Sequence, residues 1–388
     1  MTATLEFPVT AASTAARPYR VLICDDQPDV LHALQLLLKG QGYEAVTVDS
    51  PRALLREARS DEFDLILADL NYTRDTTSGE EGLDLLAGLE SQGNTVPVIV
   101  MTAWGSIDLA VEAMRRGACD FVQKPWDNER VLAAIRKQAD SERRRQSELE
   151  IAATVQQKLF PRAARRLRTI DYAGQCVAAR GVGGDYYDFL DLGDEPSESS
   201  MGFVLADVSG KGVPAALLMA NLQACFRTQA ASGVRRPAEL LEAIHRHFYF
   251  STGSDRFATL FFGSYDDRTR RMRYANCGHC APLLLRANGE LTKLDPTAPM
   301  LGAFEEWSCV EDEVGLNAGD TLLLYSDGVT EATNSAGDEF GEDRLVLTLR
   351  ENNAFTAEDL VRKIIDAVSA FSEASLVDDV TVVAICGV

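Results

Sequence analysis

From Arg20 onward, short apolar runs alternate with longer amphipathic ones. The runs at 21–24, 45–48, 63–69, 98–102 and 120–123 have the length and residue types of buried strands. Apolar residues at helical spacing fill the gaps, at 29–39, 51–58, 82–89, 106–116 and from 128 onward. Strand and helix in strict turn predict an α/β doubly wound domain, a parallel sheet covered on both faces. The helical pattern then runs on: Ile135, Gln138, Glu142, Arg145, Leu149, Ala152, Gln156 and Leu159 step by threes and fours, and Pro161 closes the stretch. Two readings fit: a helix broken at the charged 142–145 stretch, or one signalling helix that pairs with a second chain. From 170 the pattern changes to short strands with helices predicted at 215–229, 237–248 and 357–371, an α+β sandwich. Its focal stretch is 203–220. An apolar run from Phe203 to Ala206 stops at Asp207, the turn Ser209-Gly210-Lys211-Gly212 follows, and Pro214 opens a helix.

Composition narrows the function. The 388 residues carry a formal net charge of −21, which argues against nucleic acid or an anionic membrane as partner. Length predicts two or three domains, each with a core of its own. The eight cysteines are scattered and mostly sit in apolar runs, as expected of reduced thiols and not of a disulfide framework. No stretch has the apolar length of a spanning helix, and the first residues lack the apolar core of a signal peptide. The expectation is a cytoplasmic protein with a flexible tail over 1–18.

In parallel sheets ligands bind at the carboxyl ends of the strands. Asp25 and Asp26 follow the first predicted strand, Asp69 ends the third, Thr102 the fourth, and Lys124 follows the fifth. Three converging carboxylates favour a hard divalent cation, Mg²⁺. One of them could then carry a phosphoryl group, with Lys124 and Thr102 contacting its oxygens. The CDD pair, LILADL, VIVMTA and FVQKPW resemble the receiver domain of two-component response regulators, a flavodoxin-like fold, over 19–137. That resemblance implies Asp69 as phosphoacceptor and Mg²⁺ held by Asp25, Asp26 and the backbone carbonyl of Asn71. It also implies Thr102 and Phe121 as a switch pair and a cognate histidine kinase as partner. One departure is the loop NYTRDTTSGEEG after Asp69, longer and more polar than the family's short turn. The rival reading is a degenerate receiver used only for docking.

The last sixty per cent scatters carboxylates at predicted strand ends: Asp185 after Gly183-Gly184, then Asp207, Asp327, and the Asp378-Asp379 pair. Carboxylates drawn from distant positions are what a centre for two close divalent ions requires. GGDYYDF, ADVSGKGVPAAL, NCGHCAPLLL, LLYSDGVTEA and DDVTVV resemble the PPM-type serine/threonine phosphatases, specifically the SpoIIE-like sporulation and stress-response branch. The resemblance implies two Mn²⁺ or Mg²⁺ ions and a two-metal hydroxide mechanism. Asp207 would bridge both ions, helped by the carbonyl of Val208, with Asp327 and Asp378 on the other ion and Asp185 on an ion or its water. Asp379 stands where the family often has Asn, so Asp378 is preferred of the pair. Lys211 is the candidate for substrate phosphate. The implied layout is a receiver (19–137), a helical linker with coiled-coil spacing (138–161) and a phosphatase domain (162–388). The implied substrate is phosphoserine or phosphothreonine on a STAS-type anti-sigma factor antagonist. A second class of function stays open: a non-catalytic adaptor that binds a sigma factor or its regulator.

Four lesser features take bland readings. Gly183-Gly184-Asp185 shares its start with the signature of diguanylate cyclases but lacks the Glu-Phe. Cys277 and Cys280 around His279 make half a zinc site without a second half, so a structural turn is expected. His245 and His247 are expected as a surface pair, and 143–145 as a solvated helix face.

Overall fold

The computed structural model describes residues 17–60, 63–72, 80–102, 107–161, 165–193, 200–232, 236–252, 256–352, 355–373 and 376–388. Most of the expected tail (1–16), and 73–79 of the loop after Asp69, lie outside them. The chain divides into two compact units between Glu148 and Leu149, inside the expected linker.

The first unit alternates strictly: β1 (Arg20–Cys24), α1 (Pro28–Lys39), β2 (Glu44–Val48), α2 (Pro51–Ser60), β3 (Leu65–Asp69), α3 (Glu80–Ser91), β4 (Val98–Thr102), α4 (Ile107–Arg115), β5 (Asp120–Gln123) and α5 (Asn128–Gln157). The strands form one parallel sheet in the order β2-β1-β3-β4-β5. β3 and β4 are buried along their whole length because helices cover both faces, which is why they read as unbroken apolar runs. Leu22, Ile66 and Val100 face one core, and Val21, Leu65 and Ile99 the other. The order reverses at β1, so the carboxyl ends of β1 and β3 flank the crevice where such sheets bind ligands.

The helix α5 is continuous for 30 residues, about 45 Å. The charged stretch does not break it. Glu142 is only 6% exposed, and its carboxylate accepts from Arg145 Nε at 2.8 Å and Gln146 Nε2 at 3.0 Å. Nor is 143–145 a wholly solvated face. Arg143 Nε donates to the fully buried Asp64 Oδ1 at 2.9 Å, its Nη2 donates to Pro18 O at 3.0 Å, and its guanidinium lies 3.6 Å over the Tyr19 ring. Asp64 Oδ2 also accepts from the Arg20 N–H at 2.7 Å. A buried carboxylate needs such partners, and α5 supplies the nearer of two cations, Arg17 Nη2 lying 3.7 Å from Asp64 Oδ1.

The second unit comprises β6 (Ile170–Val177), β7 (Tyr186–Asp191), β8 (Ser200–Val208), α6 (Val213–Ala231), α7 (Pro237–Ser251), β9 (Ala258–Asp266), β10 (Arg271–Cys277), β11 (Leu283–Leu285), β12 (Leu291–Lys293), β13 (Asp312–Gly315), β14 (Thr321–Tyr325), α8 (Asp327–Thr330), α9 (Gly341–Asn352), α10 (Ala357–Phe371) and β15 (Val380–Gly387). Two antiparallel sheets, β13-β10-β9-β8-β7 and β12-β11-β14-β15-β6, pack face to face between two pairs of helices. The strand period of two sorts the side chains. Along β8, Phe203 and Leu205 fill the space between the sheets, while Val204, Ala206 and Val208 face α6 and α7. Along β15, Val383 and Ile385 point between the sheets, and Val382 and Ala384 toward α9 and α10. His245 is buried in α7, its ring stacked 4.8 Å from Trp307, so only His247 of the expected pair reaches the surface.

Two carboxylate centres at strand ends

In the first unit, one oxygen each of Asp25, Asp26 and Asp69 lie within 4.8 Å of one another, where β1 and β3 end. Lys124 Nζ bridges two of them, 2.6 Å from Asp25 Oδ2 and 2.9 Å from Asp69 Oδ2. The Gln27 N–H donates to Asp25 Oδ1 and the Leu70 N–H to Asp69 Oδ1, each at 2.9 Å. Burial pushes the Asp69 carboxyl above its usual range, against the pull of Lys124. Burial lowers the Lys124 ammonium, but its bonds to Asp25 and Asp69 outweigh this and hold it above the usual lysine value. The peptide before Pro125 is cis. Thr102 is buried at the end of β4, and Lys124 N–H donates to its carbonyl at 2.8 Å. Phe121, on the neighbouring β5, is 37% exposed against Ala110, Val111 and Met114. Asn71 Oδ1 is buried with no hydrogen-bond partner among the described residues. Three clustered oxygen donors of like charge suit a hard cation such as Mg²⁺.

In the second unit the predicted carboxylates come from four places. Asp207 is the next-to-last residue of β8, and Asp185 immediately precedes β7. Asp327 does not end β14 but opens the short helix α8, after Ser326, and Asp378-Asp379 precede β15. Backbone pairing draws these ends together. Ser326 N–H donates to Thr381 O at 3.0 Å, Thr381 N–H to Ser326 Oγ at 3.0 Å, and Ser326 Oγ to Asp379 O at 3.1 Å. Thr381 Oγ1 donates to Asp185 Oδ2 at 2.5 Å, and the Val208 N–H to Gly184 O at 3.4 Å. Glycine is required where the loops touch. A Cβ on Gly184 would lie 2.6 Å from Val208 O, and one on Gly328 2.1 Å from Asp379 O.

The electrostatics record the convergence. Burial, then the charges of Asp327, Asp378 and Asp379, push the Asp207 carboxyl up to about 7. Burial and the Asp207 charge hold Asp185 well above the carboxylate range, and burial with Asp378 raises Asp327. Asp185, Asp207, Asp327 and Asp378 are thus linked by mutual repulsion, Asp185 through Asp207, and Asp207 through Asp327 and Asp378. Among the described residues, only the Asp25 trio packs its oxygens within 4.8 Å, so this second set is spread more widely. An all-oxygen, mutually repelling set of this kind fits hard divalent cations, which would offset the repulsion.

Asp379 behaves differently. Its Oδ1 accepts from the Ala179 N–H at 2.9 Å and its Oδ2 from the Gly184 N–H at 2.8 Å, clamping the loop that carries Asp185. Lys211 Nζ lies 2.7 Å from Asp378 Oδ2 and donates to Val377 O at 3.1 Å. Several participants escaped the sequence reading: Ser326, Thr381, Gln156 and Arg256. Arg256 Nη1 donates to Ser209 O at 3.0 Å and lies over Gly210, where φ is +101° and a Cβ would meet that Nη1 at 1.9 Å. The residues around Cys277 and Cys280 form a turn. Its His279 is buried, donates its backbone N–H to Asn276 Oδ1 at 2.8 Å, and meets Thr259 Oγ1 through Nδ1 at 2.8 Å; burial depresses the ring to about 4.

Two family models match: "Response regulator receiver domain" over residues 21–136 and "Stage II sporulation protein E (SpoIIE)" over 197–387. The chain is 29% identical over 239 residues to the phosphoserine phosphatase RsbU of Bacillus subtilis, covering 61% of this chain and 69% of that protein. It is 33% identical over 117 residues to the transcriptional regulatory protein ZraR of Escherichia coli, but that covers 30% of this chain and only 25% of the relative. The solved SiaA-PP2C domain of Pseudomonas aeruginosa superposes with a TM-score of 0.55 at 20% identity, covering 64% of this chain and 98% of that one, a likeness of fold.

Proposed function

With a response-regulator receiver domain and a SpoIIE-type, metal-dependent protein phosphatase domain in one chain, we propose that phosphorylation of the first controls hydrolysis by the second. The substrate is phosphoserine or phosphothreonine on a regulatory protein of the anti-sigma factor antagonist class. The observation that carries this reading is the meeting of Asp185, Asp207, Asp327 and Asp378 at the strand ends, with Asp207 pushed up to about 7.

The cations, when bound, supply positive charge that offsets the phosphate's own and makes water a better nucleophile. The chain's residues do the rest. Asp207, Asp327 and Asp378 would hold the cations with the Val208 carbonyl, and Asp185, fixed by its bond from Thr381, would serve an ion or its water. Asp379, engaged by two backbone amides, shapes the site and is not a ligand in this reading. Lys211 fixes Asp378. In the receiver, Asp25, Asp26 and the Asn71 carbonyl would hold Mg²⁺, and Asp69 would accept the phosphoryl group from the phosphohistidine of a histidine kinase. Lys124 and Thr102 then contact the phosphoryl oxygens, and Phe121 reports the change. Ile151 and Val155, 63% and 56% exposed one helical turn apart on α5, support a second copy of the chain as partner there. No helix among the described residues is long and apolar enough to cross a membrane, which fits a cytoplasmic role.

Hydrolysis of p-nitrophenyl phosphate with Mn²⁺ tests the enzyme, and Asp207→Asn and Asp327→Asn are each expected to abolish it. Normal turnover in either removes the metal assignment; binding of partners without turnover in the wild type would favour an adaptor. Control by phosphorylation is tested by turnover with and without a phosphoryl donor, in wild type and Asp69→Ala. Four equal rates would refute it.

A further inference from the structure

Gln156 lies in the last turn of α5 and is 8% exposed. Its side-chain amide spans both backbone groups of one residue. Nε2 donates to Gly183 O at 2.8 Å, and the Gly183 N–H donates to Oε1 at 3.1 Å. Segment 178–185 belongs to no helix or strand, so its polar backbone has no ladder partners there. Apart from the long Val208 N–H bond to Gly184 O, side chains from elsewhere hold it: Gln156 at Gly183, and Asp379 at Ala179 and Gly184. A Cβ on Gly183 would lie 1.9 Å from Asp379 Oδ2, so the Asp379 carboxylate packs against the residue that Gln156 clasps and holds its neighbour Gly184. The segment ends at Asp185.

We propose that Gln156 is a positioning residue for the phosphatase centre: it fixes loop 183–185, so the cation affinity of the centre follows the placement of the last turn of α5. This rests on the phosphatase reading above and adds the residue through which the linker helix acts. Only an amide offers one donor and one acceptor side by side at this reach. A carboxylate of the same shape has no donor and would face the Gly183 carbonyl with like charge. Residues that orient cation ligands from behind change affinity by about 10- to 100-fold when removed.

The test uses the full chain with Gln156→Glu, Gln156→Ala and, as control, Gln157→Ala at the exposed neighbouring position. Two readouts are taken: the Mn²⁺ concentration giving half of the Mn²⁺-induced rise in melting temperature, and that giving half-maximal hydrolysis of p-nitrophenyl phosphate. Both are expected to rise by about tenfold or more in the Gln156 variants. Turnover at saturating Mn²⁺ stays near the wild-type value, and the control is unchanged. The isosteric Gln156→Glu decides the matter if the alanine variant fails to fold. Wild-type Mn²⁺ titrations in folded Gln156→Glu overturn the proposal, as does lost turnover with an unchanged half-saturation. A wild type that takes up Mn²⁺ but hydrolyses nothing refutes the phosphatase reading, and the melting titration still judges Gln156.

Discussion

Asp207 concentrates the electrostatic tension of the second centre. An unfolded aspartate titrates near 4, whereas burial and the Asp327, Asp378 and Asp379 charges push Asp207 up to about 7. Between those values the folded, metal-free chain binds more protons than the unfolded one. Stability contributed by this group is therefore complete below that window and is lost as pH rises through it. The EDTA-treated protein is expected to melt about 2–6 °C lower near pH 8 than near pH 6, with Mn²⁺ removing most of the difference. Melting curves at both pH values, with and without the ion, check this. Asp207→Asn should raise the metal-free melting temperature while abolishing hydrolysis, a separation that plain misfolding would not produce. Gly328→Ala makes a different demand. Its new Cβ would meet the Asp379 carbonyl at 2.1 Å, a backbone atom no rotamer can move aside. We expect about 3 kcal/mol of lost stability and no hydrolysis, read by denaturant unfolding and turnover. The acidic residues were legible in the sequence because each interrupts or abuts an apolar run. Thr381, Ser326 and Gln156 were not. The Thr381 hydroxyl meets Asp185 across 196 positions of chain, and nothing local marks it.

Among the elements, strands and helices with strong periodicity were readable to within a residue or two, as at β4, β5 and α10. α9 went unread because only Leu345 and Leu349 of its twelve residues are buried. β12 and β13 are short edge strands with no apolar alternation, and their existence depends on the neighbours they pair with. The helix α5 left two readings open, since its middle is polar. What keeps that stretch helical is tertiary: Asp64, buried at the foot of β3, demands Arg143. Arg143→Ala is expected to cost the first unit about 1–3 kcal/mol, measured by denaturant unfolding, because a buried carboxylate loses its hydrogen-bonded cation and keeps only the more distant Arg17. At the exposed Arg144, substitution by proline breaks the helix at a cost of about 3 kcal/mol. Arg144→Pro should leave Mn²⁺-dependent hydrolysis active but insensitive to a phosphoryl donor, measured as the ratio of rates with and without donor.

At the scale of the whole chain, both folds follow from which strand faces are covered. In the first unit helices flank one parallel sheet; in the second, β8, β14 and β15 have a sheet on one side and helices on the other. Strands enclosed on both sides have no wet flank on which to mount chemistry. Water reaches them only at their tips, and both acidic centres stand at tips. Natural variation in such a protein would then be confined to its rim. New partners or substrates could arise by exchanging connecting segments, while the enclosed layers remain a conserved chassis that tolerates little change.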